Sequence, residues 1–428
     1  MNRLARSAML LTQTNRLHLT NDEAQTLRTL CRLSKNLYNV GLYTVRQYFF
    51  TERKHLRYES AYHHCKTNEN YKLLATDIGQ QTLKVVARAF GSFFGWLEAK
   101  RTGTFAAKVS IPRYLDKEGY FALIIPIRAR QVFKDWKFPI PLSRDFKRQV
   151  GGNVTIEIPE RLREKRIKEI RIYPKYKART FDVTYIYESS DTPAQVDPES
   201  MMGIDLGMDN LAACVTTKPT SFVVDGKRLK SVNQWFNKRN SQLQSEKDKQ
   251  GIKGFTEQQY KITDRRNHRV RDYLNKAARY IINHCIEQGI GKVVVGYNPG
   301  MKQDSNMGTR NNQNFVQVPI FTLRLKLKSL CERYGIAFVE QEKSYTSKSS
   351  FVDGDPIPVY NADNPVEFKG SGKRIKRGLY RTKKGWLINA DINGAANILK
   401  KYLESSQDKL RFGLGRGCLA QPLRVKIS

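Results

Sequence analysis

The sequence predicts an α+β chain of several domains: a helical module, then a run of antiparallel strands, then a mixed α/β domain. Three observations carry this. Apolar residues keep helical spacing over 20–104, two-residue alternation replaces it over 105–190, and from 191 onward elements follow the order βββαβαβα. The last domain is arranged around one stretch, Met202-Gly203-Ile204-Asp205-Leu206-Gly207, where a single acid ends an apolar run between glycines. Carboxylates on buried strands are rare unless charge or hydrogen bonds compensate them.

Ser7 to Leu19 reads as a strand and a turn. Thr20 and Glu23 have the spacing of a capping box. Behind it, Leu27, Leu30, Cys31, Leu37, Tyr38, Leu42, Val45 and Tyr48 keep one helical face. A second helix is expected over Gln81 to Lys100, with Leu83, Val86, Ala87, Phe90, Phe94 and Leu97 on one side. The aromatics of this module are assigned to its core. Phe121 to Ile127, Val154 to Ile158, Ile167 to Tyr173 and Phe181 to Tyr187 are strand-like, and they predict a small barrel or sandwich. Ser189 to Pro198 is polar, holds two prolines and reads as a linker.

Strands are then expected at Met202–Gly207, Leu211–Thr216 and Ser221–Val224. A long helix with Val270, Tyr273, Leu274, Ala277, Ile281 and Cys285 on its stripe follows. Next come strand Lys292–Tyr297, a helix opening near Pro319, strand Ile336–Gln341 and a last helix from Asp391. Acids on the first strand and the last helix of that order match the RNase H-like fold.

The 428 residues carry 75 Lys and Arg against 40 Asp and Glu, a net charge of +35. So large a surplus opposes compaction and attracts polyanions, which makes nucleic acid the expected partner. No apolar run is long enough to span a bilayer, and the first residues lack a signal-peptide core. Six scattered cysteines without a C-x-x-C pair support neither a disulfide framework nor a cysteine zinc site. A reducing, prokaryotic cytoplasm is the expected setting, with the protein on the nucleoid when DNA-bound.

Leu37-Tyr38-Asn39, Pro112-Arg113-Tyr114, Gly203-Ile204-Asp205-Leu206-Gly207, Tyr345-Thr346-Ser347-Lys348 and Asp391-Ile392-Asn393-Gly394-Ala395-Ala396-Asn397 together resemble the hallmarks of TnpB. That family comprises RNA-guided nucleases of insertion sequences, related to type V CRISPR effectors. The resemblance implies a recognition module over 20–104 and a wedge-like β-barrel made of 105–190 and a strand within 1–19. It also implies a RuvC nuclease domain over 191–428, a guide RNA from the transposon end, and a double-stranded DNA target beside a short motif. One RNA per monomer is expected.

Two departures stand out. The family's glutamate at the end of the fourth strand is missing, since that strand reads Val293-Val294-Val295-Gly296-Tyr297-Asn298. The family's four zinc-binding cysteines are also missing, since Ser349 to Leu387 holds no cysteine or histidine. No structural zinc is therefore expected in the insert of about 343–388.

Two-metal phosphodiester cleavage needs carboxylates that hold two Mg²⁺ about 4 Å apart, with Mn²⁺ able to substitute. Asp205 and Asp391 are expected to be two of these ligands. Neighbouring strands run about 4.8 Å apart, so an acid at the end of the fifth strand could reach the same ion. Glu340 and Glu342 share one face there, and Glu342 stands nearer the end. The expected catalytic and metal-binding triad is therefore Asp205, Glu342 and Asp391, with Asp304, Asp353 and Asp355 as weaker candidates.

For nucleic-acid contact, Lys373, Arg374, Lys376 and Arg377 form a dense basic run in the insert, and Arg265 and Arg269 a basic helix face. Asn39, Arg46 and Tyr48 of the first helix, and the Tyr345, Thr346, Ser347 and Lys348 stretch, complete that set. The leading expectation is an RNA-guided, Mg²⁺-dependent DNA endonuclease. A nuclease-inactive RNA-guided repressor is the alternative from another class, and a DDE-type transposase is a third.

Overall fold

The computed structural model describes residues 9–128, 133–298, 319–361, 366–406 and 413–427. Asp304 lies outside the described residues. The chain divides into two compact units, 1–190 and 191–428.

The first unit opens with β1 (Leu10–Arg16) and a helical group: α1 (Asn21–Glu52), α2 (Tyr58–Cys65), α3 (Glu69–Leu73) and α4 (Thr76–Arg101). The capping box forms: Glu23 accepts from the Thr20 amide at 2.9 Å while the Thr20 hydroxyl accepts from the Glu23 amide. Then come β2 (Leu123–Pro126), β3 (Lys137–Pro139), α5 (Arg144–Gln149), β4 (Thr155–Glu157), β5 (Ile167–Lys175) and β6 (Thr180–Glu188). Strands β1-β6-β5-β2 form one antiparallel sheet, and β3 pairs with β4 separately. Among the described residues this sheet does not close, so the expected barrel is corrected to an open sheet. One hydrophobic core explains why: Leu27, Leu30 and Ile78 of the helices pack with Ile170, Ile172 and Val183 of the sheet. Helices cover the face that a closed barrel would have turned inward.

The second unit holds a six-stranded sheet in the order β11-β10-β7-β8-β9-β15. Its strands are β7 (Asp197–Leu206), β8 (Asn210–Thr216), β9 (Ser221–Asp225), β10 (Ile290–Tyr297), β11 (Ala337–Glu342) and β15 (Leu423–Val425). β7, β8 and β9 are antiparallel neighbours, while β10 lies parallel to β7, and β11 parallel to β10. Two helices, α6 (Lys227–Lys249) and α7 (Glu257–Glu287), precede β10 where the periodicity predicted one, and α8 (Ile320–Tyr334) joins β10 to β11. An insert follows, with the antiparallel sheet β12 (Lys373–Lys376), β13 (Leu379–Arg381) and β14 (Leu387–Asn389). β14 runs directly into α9 (Ala390–Ser405), and α10 (Arg416–Ala420) precedes β15.

Strand pleating decides what faces what. Met202, Ile204 and Leu206 of β7 pack with Leu274, Ile281 and Leu327 of α7 and α8. Met201 and, on β10, Val294 pack with Ile398 and Leu399 of α9. Asp205 belongs to the second register, so it shares the α9 side of the sheet. Gly203 brings that helix close: a Cβ there would stand 2.7 Å from the Ala395 carbonyl oxygen and 2.9 Å from the Leu399 Cβ. No described helix is long and apolar enough to cross a membrane.

Candidate functional site

Asp205 and Asp391 line one open polar cleft of about 670 Å³, together with Asp209, Asn210, Lys227, Lys230, Arg374, Arg377 and Arg424. β7 delivers Asp205, and the first turn of α9 delivers Asp391. The Asn389 side chain caps that helix, accepting from the Asp391 and Ile392 amides at 3.0 and 3.1 Å. Gly394 leaves room for the other carboxylate, since a Cβ there would lie 3.1 Å from Asp205 Oδ2.

Every acid of the cleft has a polar partner. Lys343 Nζ donates to Asp205 Oδ1 at 3.0 Å. Arg374 donates to Asp391 Oδ1 at 3.0 Å, and the Asn210 side-chain amide donates to Asp391 Oδ2 at 2.7 Å. Arg424 donates to Asn210 Oδ1 and to Asp225 Oδ1, both at 3.1 Å. Asn210 therefore gives with one end and accepts with the other, which fixes its amide orientation. Asp209 is paired with both Lys230 and Arg377.

Lys343 occupies a telling position. Its amide donates to the Asn298 side chain at 3.0 Å, just past the end of β10. Its stem crosses Gly296, where a Cβ would stand 3.0 Å from Lys343 Cδ and closer still to Ile398. The strand end without the expected acid thus gives passage to a lysine that reaches Asp205.

The expected triad is not assembled. Glu342 ends β11, and its carboxylate accepts from Lys401 at 2.6 Å and closes a turn on the Ser344 amide. Lys401 sits on α9 at 5% exposure, and it also donates to the Ser344 and Pro358 carbonyls at 3.2 and 3.0 Å. A buried ammonium requires a counter-charge, and Glu342 is taken up in supplying it. Burial pulls the Glu342 carboxyl upward, but Lys401 and Ser344 outweigh this and hold it below the ordinary value. Glu340 pairs with Arg324 at 3.3 Å. Among the described residues, no three Asp, Glu, His or Cys side chains stand together as an ion site. Asp205 and Asp391 still offer the hard oxygens that Mg²⁺ takes from one or two carboxylates plus substrate phosphate.

Asp353 and Asp355 hold the insert together. Asp355 accepts from the Ser350 and Ser371 amides at 2.7 and 2.9 Å. Asp353 accepts from the Ser350 hydroxyl at 2.6 Å and from the Lys383 amide at 2.7 Å. Segments far apart in sequence are tied to two carboxylates.

The other predicted contact residues separate into brackets and exposed cations. Thr346 is buried, and Asn397 donates to the Thr346 and Ser349 carbonyls at 2.9 and 2.7 Å, with Asn393 donating to Ser349 at 2.8 Å. This turn is thus fastened to α9 by the two asparagines of its first turns. Tyr345 packs edge-on against Phe368, while Ser347 and Lys348 are exposed. Asn39 exchanges hydrogen bonds with the Leu115 backbone at 2.9 and 3.0 Å, and Arg46 donates to the Pro112 carbonyl at 2.9 Å beneath the Tyr114 ring. Asn39 and Arg46 therefore hold the 112–115 segment onto α1, and Tyr48 is half-buried against the helical core. Arg265, Arg269, Lys373, Arg374, Lys376 and Arg377 are exposed. Asn210, Asp209, Lys343 and Arg424 were not foreseen. Asp209 and Asn210 directly follow the glycine turn after Asp205, which could have signalled them, whereas nothing local marks Lys343 or Arg424.

Comparison with known proteins places this geometry. The OrfB_IS605 family model, described as a probable transposase, matches residues 184–302, and the Cas12f1-like TNB domain matches 321–398. The TnpB-like protein ORF457 of Acidianus two-tailed virus is 26% identical over 418 residues, covering 88% of this chain and 83% of that protein. The solved Cas12f1 complex with single-guide RNA and target DNA is similar at a TM-score of 0.55 and 14% identity, covering 89% of this chain and 83% of its own. The mini-RNA-guided endonuclease Cas_phi3 aligns at a TM-score of 0.48 and 9% identity over 95% of this chain and 94% of its own. The likeness to Cas12f1 establishes a shared mixed α/β multidomain fold. Both family models and the viral relative agree with the motifs on β7 and α9, and the chain is similar to TnpB proteins.

Proposed function

We propose that this protein is an RNA-guided DNA endonuclease of an insertion sequence. It takes a guide RNA from the transposon end and cuts double-stranded DNA beside a short transposon-associated motif. The observation that carries this is the convergence of Asp205 and Asp391, from β7 and α9, on one cleft rimmed by Lys227, Lys230, Arg374, Arg377 and Arg424. The antiparallel strands β9, β8 and β7 followed by the parallel β10 and β11 give the strand order of the RNase H-like fold, with β15 added at the β9 edge, which supports a RuvC-type assignment. The Cas12f1 relative was solved with guide RNA and target DNA, and these are the partner classes proposed here.

Asp205 and Asp391 would hold Mg²⁺, which when bound supplies Lewis-acid activation of the phosphate. The protein's own groups do the rest. Asn210 fixes the orientation of Asp391, Asn389 and the α9 amides fix its backbone, and Lys343 directs Asp205. The rim cations attract the polyanionic strand without reading its sequence. In such systems base pairing with the guide reads the target, and protein reads the flanking motif.

A specific observation favours a second reading, the nuclease-inactive RNA-guided repressor: among the described residues no three acids stand together as an ion site, and each cleft acid is paired with a cation. One experiment separates these readings. The chain, purified with its RNA, is given double-stranded targets with a randomised flank in Mg²⁺. Cutting beside a fixed motif is expected. Binding without cutting would support the repressor, and strand joining would support a transposase.

A further inference from the structure

We propose that the β12 end of the insert is a counter-ion latch on the aspartate cleft. Arg374 and Arg377 neutralise Asp391 and Asp209 in the free protein and move to nucleic-acid phosphates when a strand enters. This rests on Asp205 and Asp391 being the ion site, and it adds who occupies that site beforehand and what clears it.

The latch is built by the backbone. β12 and β13 form a hairpin whose tip is Arg377-Gly378, with Gly378 at a φ of +80°, a conformation that glycine takes without strain. The Gly378 carbonyl accepts from the Ala390 amide at 3.1 Å, so the tip is fastened to the start of α9. β13 pairs with β14, and β14 continues into α9. The strand that presents Arg374 is therefore locked in register to the helix that presents Asp391. Their 3.0 Å contact follows from the sheet rather than from chance meeting of two long side chains.

The cations of the cleft fall into two kinds. The Lys343 side chain is 16% exposed, and its stem lies against Gly296. It is a fixed counter-charge. Arg374 and Arg377 are 46% and 72% exposed, and both can swing outward without moving the backbone. Exposed pairs of this kind are individually weak and readily exchanged. Guanidinium also matches phosphate as well as carboxylate, since both present paired oxygens to its fork. A strand in the cleft thus offers the two arginines equivalent partners and frees Asp391 Oδ1 and Asp209 Oδ2, while Asn210 stays on Asp391 Oδ2 and Lys230 on Asp209 Oδ1, and the freed oxygens draw a divalent cation. Strand binding and cation binding become coupled in the same direction, and the coupling is reciprocal.

The test uses the full chain stripped of nucleic acid, with free Mn²⁺ followed by electron paramagnetic resonance. Asp391→Asn, with and without DNA, defines the signal that belongs to the cleft. Arg374→Gln with Arg377→Gln should bind Mn²⁺ tighter than wild type, by up to about fivefold for each exposed pair removed. An oligodeoxythymidylate strand should tighten Mn²⁺ binding in wild type and no longer do so in the glutamine variant. The variant should also lose about two phosphate contacts from the salt dependence of strand binding. Arg374→Lys with Arg377→Lys keeps the charge and should stay near wild type, and thermal melts verify that each variant folds. The latch is overturned if the glutamine variant binds Mn²⁺ no tighter, if the strand leaves wild-type Mn²⁺ affinity unchanged, or if the lysine variant behaves like the glutamine one. Nuclease failure looks different: Mn²⁺ binding would follow this pattern with no DNA cut. If Asp391→Asn bound Mn²⁺ like wild type, the ion-site assignment itself would fall.

Discussion

Oδ2 of Asp205 lies 3.1 Å from where a Cβ on Gly394 would stand. The strand and the helix approach so closely that one hydrogen in place of a methyl sets the space for the carboxylate. Gly394→Ala should displace Asp205 with little effect on folding, because only a side chain must yield. Gly203→Ala meets the Ala395 carbonyl at 2.7 Å and should destabilise the domain by about 1–3 kcal/mol, since backbone must move. Cleavage rate and thermal melting, measured on both variants, should separate: activity falls first for Gly394→Ala, stability for Gly203→Ala.

Asn210 is expected to matter as much as a ligand's immediate support usually does. It holds Asp391 at 2.7 Å and is held by Arg424. Asn210→Ala should lower cleavage or divalent-ion affinity about 10- to 100-fold, with a modest change in melting temperature. An Mg²⁺ titration of the cleavage rate checks it, and an unchanged titration would remove Asn210 from the site.

Glu342 should prove a stability residue. Glu342→Ala leaves the Lys401 ammonium buried without its counter-charge, and should cost about 3 kcal/mol in chemical denaturation. The folded protein holds this carboxyl below its ordinary value, so its contribution is present above about pH 4.3 and is lost as pH falls through the lowered folded value. The variant should therefore lose stability at neutral pH and show a shallower acid transition. Glu342→Gln, per folded molecule, should cleave near the wild-type rate. A large loss of cleavage with normal stability would restore Glu342 to the ion site.

The insert should not respond to chelation. Asp353 and Asp355 accept backbone amides from separate segments within it, so its folding draws on hydrogen bonds. Burial works against the Asp353 charge, but Ser350 and the Lys383 and Lys384 amides outweigh it and keep the carboxyl below its ordinary value. Asp353→Ala should cost about 1–3 kcal/mol by leaving those donors unpaired. A zinc-selective chelator in excess Mg²⁺ should leave the wild-type melting midpoint unchanged, and a drop would refute this account.

Periodicity alone was enough to read β1, α1, the strands β7 to β11 and the helices α7, α8 and α9, because each is a local pattern of apolar residues, whereas α6, the insert strands and β15 were not read. The same holds for the two aspartates, since an acid closing an apolar strand and an acid opening a helix are anomalies visible within a few residues. The family resemblance added their pairing. What no local pattern could carry is the identity of their neighbours. Lys343 reaches Asp205 across 138 positions because Gly296 has no side chain to stop it, and Glu342 is lost to the cleft because Lys401, 59 positions away, is buried and needs it. The barrel failed as an expectation for a related reason: alternation marks strands, but only packing against α1 and α4 decides whether their sheet closes. The sequence by itself determined which elements form and where two acids lie along them. The tertiary structure decided which charges those acids meet, because long side chains choose partners by distance and desolvation, and neither is written in spacing.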